Sequence, residues 1–200
     1  MELKEAKGIF FIAVAAASLL VASPALSRIF TSPRAEYFTE FWLLDQNRGT
    51  SNYPFNISRA HDYAVLLGIA NRLGSLAYYM VEVKFRNWTM PAPDPLGKNP
   101  SQTTPLLDIR IFLEDYGNGE LSITFSLDYE IDSAEQRASF HNITLNGRVF
   151  DLNDQIASWD PIRKDFYANL YFELWIYNST LDDFEYHNRS VGLRLNMTDL

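Results

Sequence analysis

The apolar and polar positions along the chain fall into two regimes. Residues 8–26 read GIFFIAVAAASLLVASPAL, an uncharged run bracketed by Lys7 and Arg28. As a helix at 1.5 Å per residue it spans about 28 Å, close to the roughly 30 Å hydrocarbon core of a bilayer. From residue 37 onward the pattern changes to short alternating runs separated by turn formers, which is the signature of strands.

Within that second regime, residues 37–44 (YFTEFWLL) form an aromatic run that residues 45–50 (DQNRGT) end. Residues 61–71 and 76–85 flank a short link containing Gly74, and read as a paired hairpin. Leu107, Ile109, Ile111 and Leu113 share one face; Leu121, Ile123, Phe125, Leu127, Tyr129 and Ile131 share another, with Tyr116-Gly117-Asn118-Gly119 as the turn between them. Asn146-Gly147 carries the dipeptide favoured by type I′ hairpins. Residues 154–164 predict one short helical turn ended by Pro161, and residues 166–177 and 185–196 predict a closing hairpin. In 166–177 the even positions from Phe166 to Ile176 are apolar, so Tyr167, Tyr171, Trp175 and Tyr177 fall on the opposite face, where aromatics stack on sugars or dock a partner unless a loop covers them. Residues 86–105 hold Pro91, Pro93, Pro95, Pro100 and Pro105, which remove backbone donors and predict a long loop.

These runs give an all-β fold, an immunoglobulin-like or jelly-roll β-sandwich preceded by one N-terminal transmembrane helix. The domain reading is a short tail at 1–7, an anchor at 8–30 and a sandwich at 31–200. A cleaved signal peptide competes with the anchor, because Lys4 and Lys7 precede the apolar run and Ala25-Leu26-Ser27 resembles a cleavage site. The length of the run favours retention, since signal-peptide apolar regions span about 7–15 residues.

Composition then narrows the function. The chain is 47% hydrophobic and 14% aromatic, enough to fill a core. Its net charge is -8 and no Lys/Arg cluster exists, so phosphate-neutralising contact with nucleic acid is excluded. There is no cysteine, which removes disulfides, thiolate metal sites and Cys nucleophiles together. His61, His141 and His187 lie too far apart for a local metal motif. Residues 151–155 begin like a calcium loop but continue with Ile156 where glycine belongs; Asp151, Asp182 and Asp183 remain oxygen donors for an irregular site. No nucleophile elbow or phosphate-binding loop is present, so no nucleotide or other cofactor is expected. Glu40 and Glu173, each in an aromatic strand, are the pair that glycosidase chemistry would require to face each other across a cleft.

Glycosylation acceptors are abundant. Asn-x-Ser/Thr occurs at Asn56, Asn87, Asn142, Asn178, Asn188 and Asn196. Random placement of the Asn, Ser and Thr present predicts about 1.75 such triplets. The excess predicts an exposed, extracytoplasmic glycoprotein domain.

Ser32-Pro33-Arg34 leading into Phe38-Thr39-Glu40-Phe41-Trp42-Leu43-Leu44, then Asn52-Tyr53-Pro54 and Asn56, resembles the archaeal membrane-protein family catalogued as domain of unknown function 1616. The strings Phe172-Glu173-Leu174-Trp175-Ile176-Tyr177-Asn178-Ser179-Thr180, Tyr186-His187-Asn188-Arg189 and Leu195-Asn196-Met197-Thr198 resemble its closing hairpin. The resemblance implies an extracytoplasmic β domain behind a retained membrane helix, in a family without an established activity. Many members carry several membrane helices, against one apolar run here. The expectation is a non-enzymatic cell-envelope protein, held in the lipid bilayer by residues 8–30, that meets an envelope protein or glycan through its β domain. The alternatives are an accessory subunit of a larger membrane complex and, further off, a carbohydrate-active enzyme.

Overall fold

A computed structural model of the chain describes residues 10–14, 16–18, 37–87, 89–94, 96–132 and 134–198. The chain divides into two compact units, Met1–Tyr37 and Phe38–Leu200. In the first, residues 10–14 and 16–18 are helical, and Ser18 Oγ donates back to the Val14 carbonyl at 2.8 Å. Most of the 8–30 segment lies outside the described residues, and no helix among the described residues is long and apolar enough to cross a membrane.

The second unit is all-β, with strands β1 (Phe38–Asp45), β2 (Asn56–Ile57), β3 (Tyr63–Arg72), β4 (Ala77–Arg86), β5 (Leu107–Leu113), β6 (Asn118–Asp132), β7 (Arg137–Leu145), β8 (Arg148–Ile156), β9 (Ser158–Asp160), β10 (Asp165–Asn178) and β11 (Asp183–Met197). They form two sheets, one ordered β1-β3-β6-β7-β8 and the other β2-β11-β10-β4-β5, with β9 pairing the start of β10. Alternation decides which face of each strand is apolar. Val65, Leu67 and Ile69 of β3, Ile123, Phe125 and Leu127 of β6, Val81, Val83 and Phe85 of β4, and Ala168, Leu170, Phe172 and Leu174 of β10 all turn inward into one core. The result is a β-sandwich.

Two sequence expectations about pairing fail for one physical reason. Neither β3 with β4 nor β5 with β6 forms a hairpin; in each case the chain crosses from one sheet to the other. Period-two patterning fixes the face a strand buries, and two apolar faces satisfy it equally well side by side or opposed across a core. Asn71 stabilises both crossings. Its Nδ2 donates to the carbonyls of Ser75 (2.7 Å), Leu113 (3.0 Å) and Glu114 (3.1 Å), and its Oδ1 accepts from Leu73 N at 3.1 Å. The residue is fully buried, so these bonds saturate groups that water cannot reach.

The helical turn expected at 154–164 is also replaced. Residues up to Ile156 finish β8, Ser158–Asp160 is β9, and 161–164 is a turn in which Asp160 Oδ1 accepts from Ile162 N and Arg163 N. The expected hairpins β7–β8 and β10–β11 do form. Asn146 and Gly147 take φ of 49° and 77°, the double left-handed conformation of a type I′ turn. The described residues of 87–106 carry no strand, only an isolated bridge between Asp94 and Asn99, before Leu106 N rejoins β4 at the Val83 carbonyl.

Candidate functional site

The outward face of the second sheet is built from register. On β10, Glu173 stands opposite Glu82 of β4 and Ser190 of β11; Tyr171 stands opposite Lys84 and Gly192; Asn169 stands opposite Arg86 and Arg194. Three cross-strand rows therefore run from acidic to basic along the face. A sheet face of this kind ordinarily meets solvent. Here Lys84 is 2% exposed and Glu173 is 0% exposed, because the proline-rich segment, hereafter the strap, lies over them.

Glu82 and Glu173, directly opposed, would repel. Lys84 Nζ bridges them, at 2.8 Å from Glu82 Oε2 and 2.7 Å from Glu173 Oε2. The strap closes the cluster through Ser101, whose backbone N–H donates to Glu173 Oε1 at 2.8 Å and whose Oγ meets the Tyr171 hydroxyl at 2.7 Å. Burial works to lower the Lys84 pKa, and the hydrogen bonds and charges of Glu173 and Glu82 overcome it, so the ammonium is held above its usual value. Burial pushes the Tyr171 hydroxyl up, against a smaller opposing effect from the Ser101 hydrogen bond. At neutral pH Lys84 is a cation and Tyr171 a neutral phenol. Neither is set to exchange a proton, and the cluster acts as a latch for the strap.

Beside the latch the strap leaves a groove of about 430 Å³ whose walls include Arg86, Pro93, Asn169, Tyr171, Ser190, Gly192 and Arg194. The Arg86 guanidinium lies 5.7 Å from the Tyr171 ring centre and donates to the Met90 carbonyl of the strap at 2.8 Å. The Arg194 guanidinium lies 3.8 Å from the Tyr167 ring centre and donates to Asp160 Oδ2 at 2.6 Å. Each guanidinium thus lies over a tyrosine ring, and the two flank Asn169 across the strands. Gly192 keeps the floor low, since a Cβ there would approach Tyr171 Cβ to 2.8 Å. On the other flank of the strap a second groove of about 520 Å³ runs between Met90, Gln102 and Thr103 and Asp151, Asn153 and Gln155 of β8. Asn153 and Asp154 have positive φ there, so the calcium-like string is a distortion of an edge strand.

The aromatic set Tyr167, Tyr171, Trp175 and Tyr177 occupies one face of β10, and its members do different things. Tyr171 is 5% exposed beneath the strap, Tyr167 carries Arg194, Trp175 packs edge-on against Tyr186, and Tyr177 donates to Asp182 and packs against Phe184. Glu40 and Glu173 lie on different sheets, with Glu40 3.6 Å from Arg72 and Glu173 engaged by Lys84. His61 packs on Tyr63, His141 Nδ1 meets Asp154 at 2.7 Å, and His187 Nε2 meets Thr39 Oγ1 at 2.8 Å. Burial, with Arg189 nearby, pushes the His187 pKa down.

The acceptor asparagines are equally dispersed. Asn56 is exposed in β2; Asn87 follows β4; Asn142 sits within β7 near Asp128; Asn178 ends β10 and donates to Glu185 at 2.6 Å; Asn188 lies at the irregularity of β11 with φ of 54°. Asn196 is 7% exposed, its amide 3.0 Å from that of Asn56. Lys84, Arg86, Ser101 and Arg194 were not singled out by sequence reasoning. Glu82 and Lys84 interrupting the apolar run of β4 were the available signal.

No family model matches the chain, and no curated protein matches its sequence. Among solved structures, a mutant β-glucosidase from Listeria innocua in complex with laminaribiose aligns at 8% identity with a TM-score of 0.38, covering 84% of this chain and 17% of that one. The ASH / PapD-like domain of human CEP192 aligns at 8% identity with a TM-score of 0.32, covering 85% and 95%. The Kluyveromyces marxianus β-glucosidase aligns at 10% identity with a TM-score of 0.25, covering 79% and 15%. The chain spans about a sixth of the length of these two glucosidases, and likenesses at these scores carry no functional argument.

Proposed function

We propose that this protein is a non-enzymatic binding module of the cell envelope, tethered by its apolar N-terminal segment and recognising a glycan or envelope protein through the strap-bordered groove. The groove carries the reading. Its two guanidiniums lie over tyrosine rings, its floor is kept open by Gly192, and its neighbouring Lys84, Glu82 and Glu173 are consumed in a latch. Preorganised donors around an open floor suit binding, because little side-chain entropy is lost when a ligand arrives. The strap gives the groove one wall without occupying it.

The sandwich itself we assign to the immunoglobulin type rather than the jelly roll. In support, β11-β10-β4 follows the G-F-C order of that fold and β1-β3-β6-β7 its A-B-E-D order in space, although β7 follows β6 in the chain where D precedes E, and β8 extends this sheet. The sequons and the resemblance to the archaeal membrane family favour an extracytoplasmic, glycosylated domain in a single-pass protein.

Two experiments test the reading. Deleting residues 1–30 is expected to release the domain from membranes, and protease added to intact cells is expected to digest the C-terminal domain; full protection of that domain would sink the topology. Arg86→Ala is expected to abolish retention on immobilised envelope polysaccharide while lowering the melting temperature by only a few degrees, about the cost of its hydrogen bond to the Met90 carbonyl. Unchanged retention would remove the groove from the proposal.

A further inference from the structure

The end of the sandwich at which β1 begins has an unusual surface. Phe38 opens β1 opposite Arg72, and the β3–β4, β5–β6 and β10–β11 connections all lie at this end, tied by Gly74 N donating to Asp115 Oδ1 at 2.9 Å and by the Tyr78, Tyr177 and Phe184 rings. Each of the three connections presents one large apolar side chain: Leu76 is 63% exposed, Tyr116 65% and Leu181 59%. Phe112, 63% exposed, and Phe38, 43% exposed, lie beside them. Tyr116 is held at φ of 60°, a conformation that a bulky residue adopts only under constraint from its surroundings.

Three acidic groups at the same end turn back, while Glu114 of the β5–β6 connection is exposed. Asp115 accepts from Gly74 N and Tyr116 N, Asp182 from the Tyr177 hydroxyl, and Asp183 from Phe184 N. Apolar tips project while three of these four carboxylates accept from donors at this end. At the opposite end Ile162 is 91%, Ile156 48% and Trp159 40% exposed, Trp159 packs on Phe166, and Arg163 lies over Phe55 much as Arg72 lies over Tyr116.

We infer that this apolar-tipped end rests on a lipid surface, with Leu76, Tyr116 and Leu181 entering the headgroup region and the Asn178 sequon, which shares a turn with Leu181, left unmodified. The occupant follows from connectivity. The apolar run ends at Leu26, and residues 27–36 can reach at most about 36 Å before β1 starts at this same end. Tyrosine and leucine suit the boundary between headgroups and acyl chains, where an aromatic ring keeps its hydroxyl wet and its body apolar. The contact fixes how the domain stands on the membrane and turns the strap-bordered face of the second sheet sideways, clear of the bilayer. This inference rests on the tether reading.

The chain has no cysteine, so single-cysteine variants report without background. Leu76→Cys, Leu181→Cys and Ile162→Cys in the full chain would each be labelled with an environment-sensitive fluorophore and reconstituted into phosphatidylcholine vesicles carrying a headgroup spin label. Labels at 76 and 181 are expected to shift to the blue and to be quenched several-fold more than the label at 162. Equal quenching at the three positions, or none at 76 and 181, overturns the docking. Carbonate extraction of the same vesicles separates the two ideas: a chain that stays in the membrane with unquenched tips defeats the docking alone, and a chain that washes off defeats the tether and the docking together.

Discussion

Replacing Lys84 with methionine isolates the charge of the latch, because the two side chains have similar length and the change leaves no large void. At 2.7 Å and an effective dielectric constant of about 20, the attraction between Lys84 and Glu173 amounts to about 6 kcal/mol. Desolvation of both ions offsets much of that in the native protein. The variant keeps the desolvation of Glu173 and loses its compensation, leaving the Ser101 N–H as the remaining donor and Glu82 as a directly opposed like charge. A loss of about 3–5 kcal/mol is expected, the usual consequence of removing one partner of a buried pair. Urea unfolding followed by tryptophan fluorescence reads this as a fall in midpoint with an unchanged slope. Lys84→Met combined with Glu173→Met is expected to lose less than the single variant, since Glu82 is then the one unpaired carboxylate, no longer faces a directly opposed like charge, and keeps some contact with water. A single-variant loss below about 1 kcal/mol, or a double variant as weak as the sum of its parts, would refute the latch.

Other consequences are open to simpler measurements. Gly68→Ala places a Cβ within 2.0 Å of the Trp42 ring that covers it, so the indole must lift off; a loss of about 1–3 kcal/mol with red-shifted emission is expected in a thermal melt followed by fluorescence. Gly147→Ala meets no atom within 4 Å yet must keep φ near 77°, which costs about 1–2 kcal/mol, read as a lowered urea midpoint. His187, with its pKa depressed by burial and by Arg189, binds fewer protons folded than unfolded below about pH 6.5. Its contribution is therefore complete above that pH and lost as pH falls toward the folded value, with a slope of at most about 1.4 kcal/mol per unit. Urea titrations between pH 7.5 and 5 should show this fall, and His187→Gln should flatten it.

The strands were legible because alternation is a local property. The long run of β6 and the even positions of β10 announce their buried faces without reference to any other element, and Asn146-Gly147 announces its turn. Pairing was not legible in the same way. Whether β3 lies beside β4 or across from it depends on Asn71, whose three carbonyl partners belong to two different loops. The latch was hidden for a related reason. Lys84 and Glu173 are separated by 89 positions, and Ser101 and Glu173 by 72, so no window of sequence contains them together. What the sequence did display was two charges in the apolar run of β4 and a proline-rich loop too long to be a mere connection. The strap that seats Ser101 joins these two signals.

The position of β10 has a consequence for how the molecule comes into being. It is the strand between β11 and β4, so β4 has an open edge until residues 165–178 arrive, more than four fifths of the way along the chain. Before that moment Lys84 lacks Glu173, the strap has no carboxylate to close on, and half of the second sheet is missing. Elongation at the ribosome cannot complete this domain piecemeal. Until the last hairpin is delivered the unpaired edge of β4 is open to pairing with other chains.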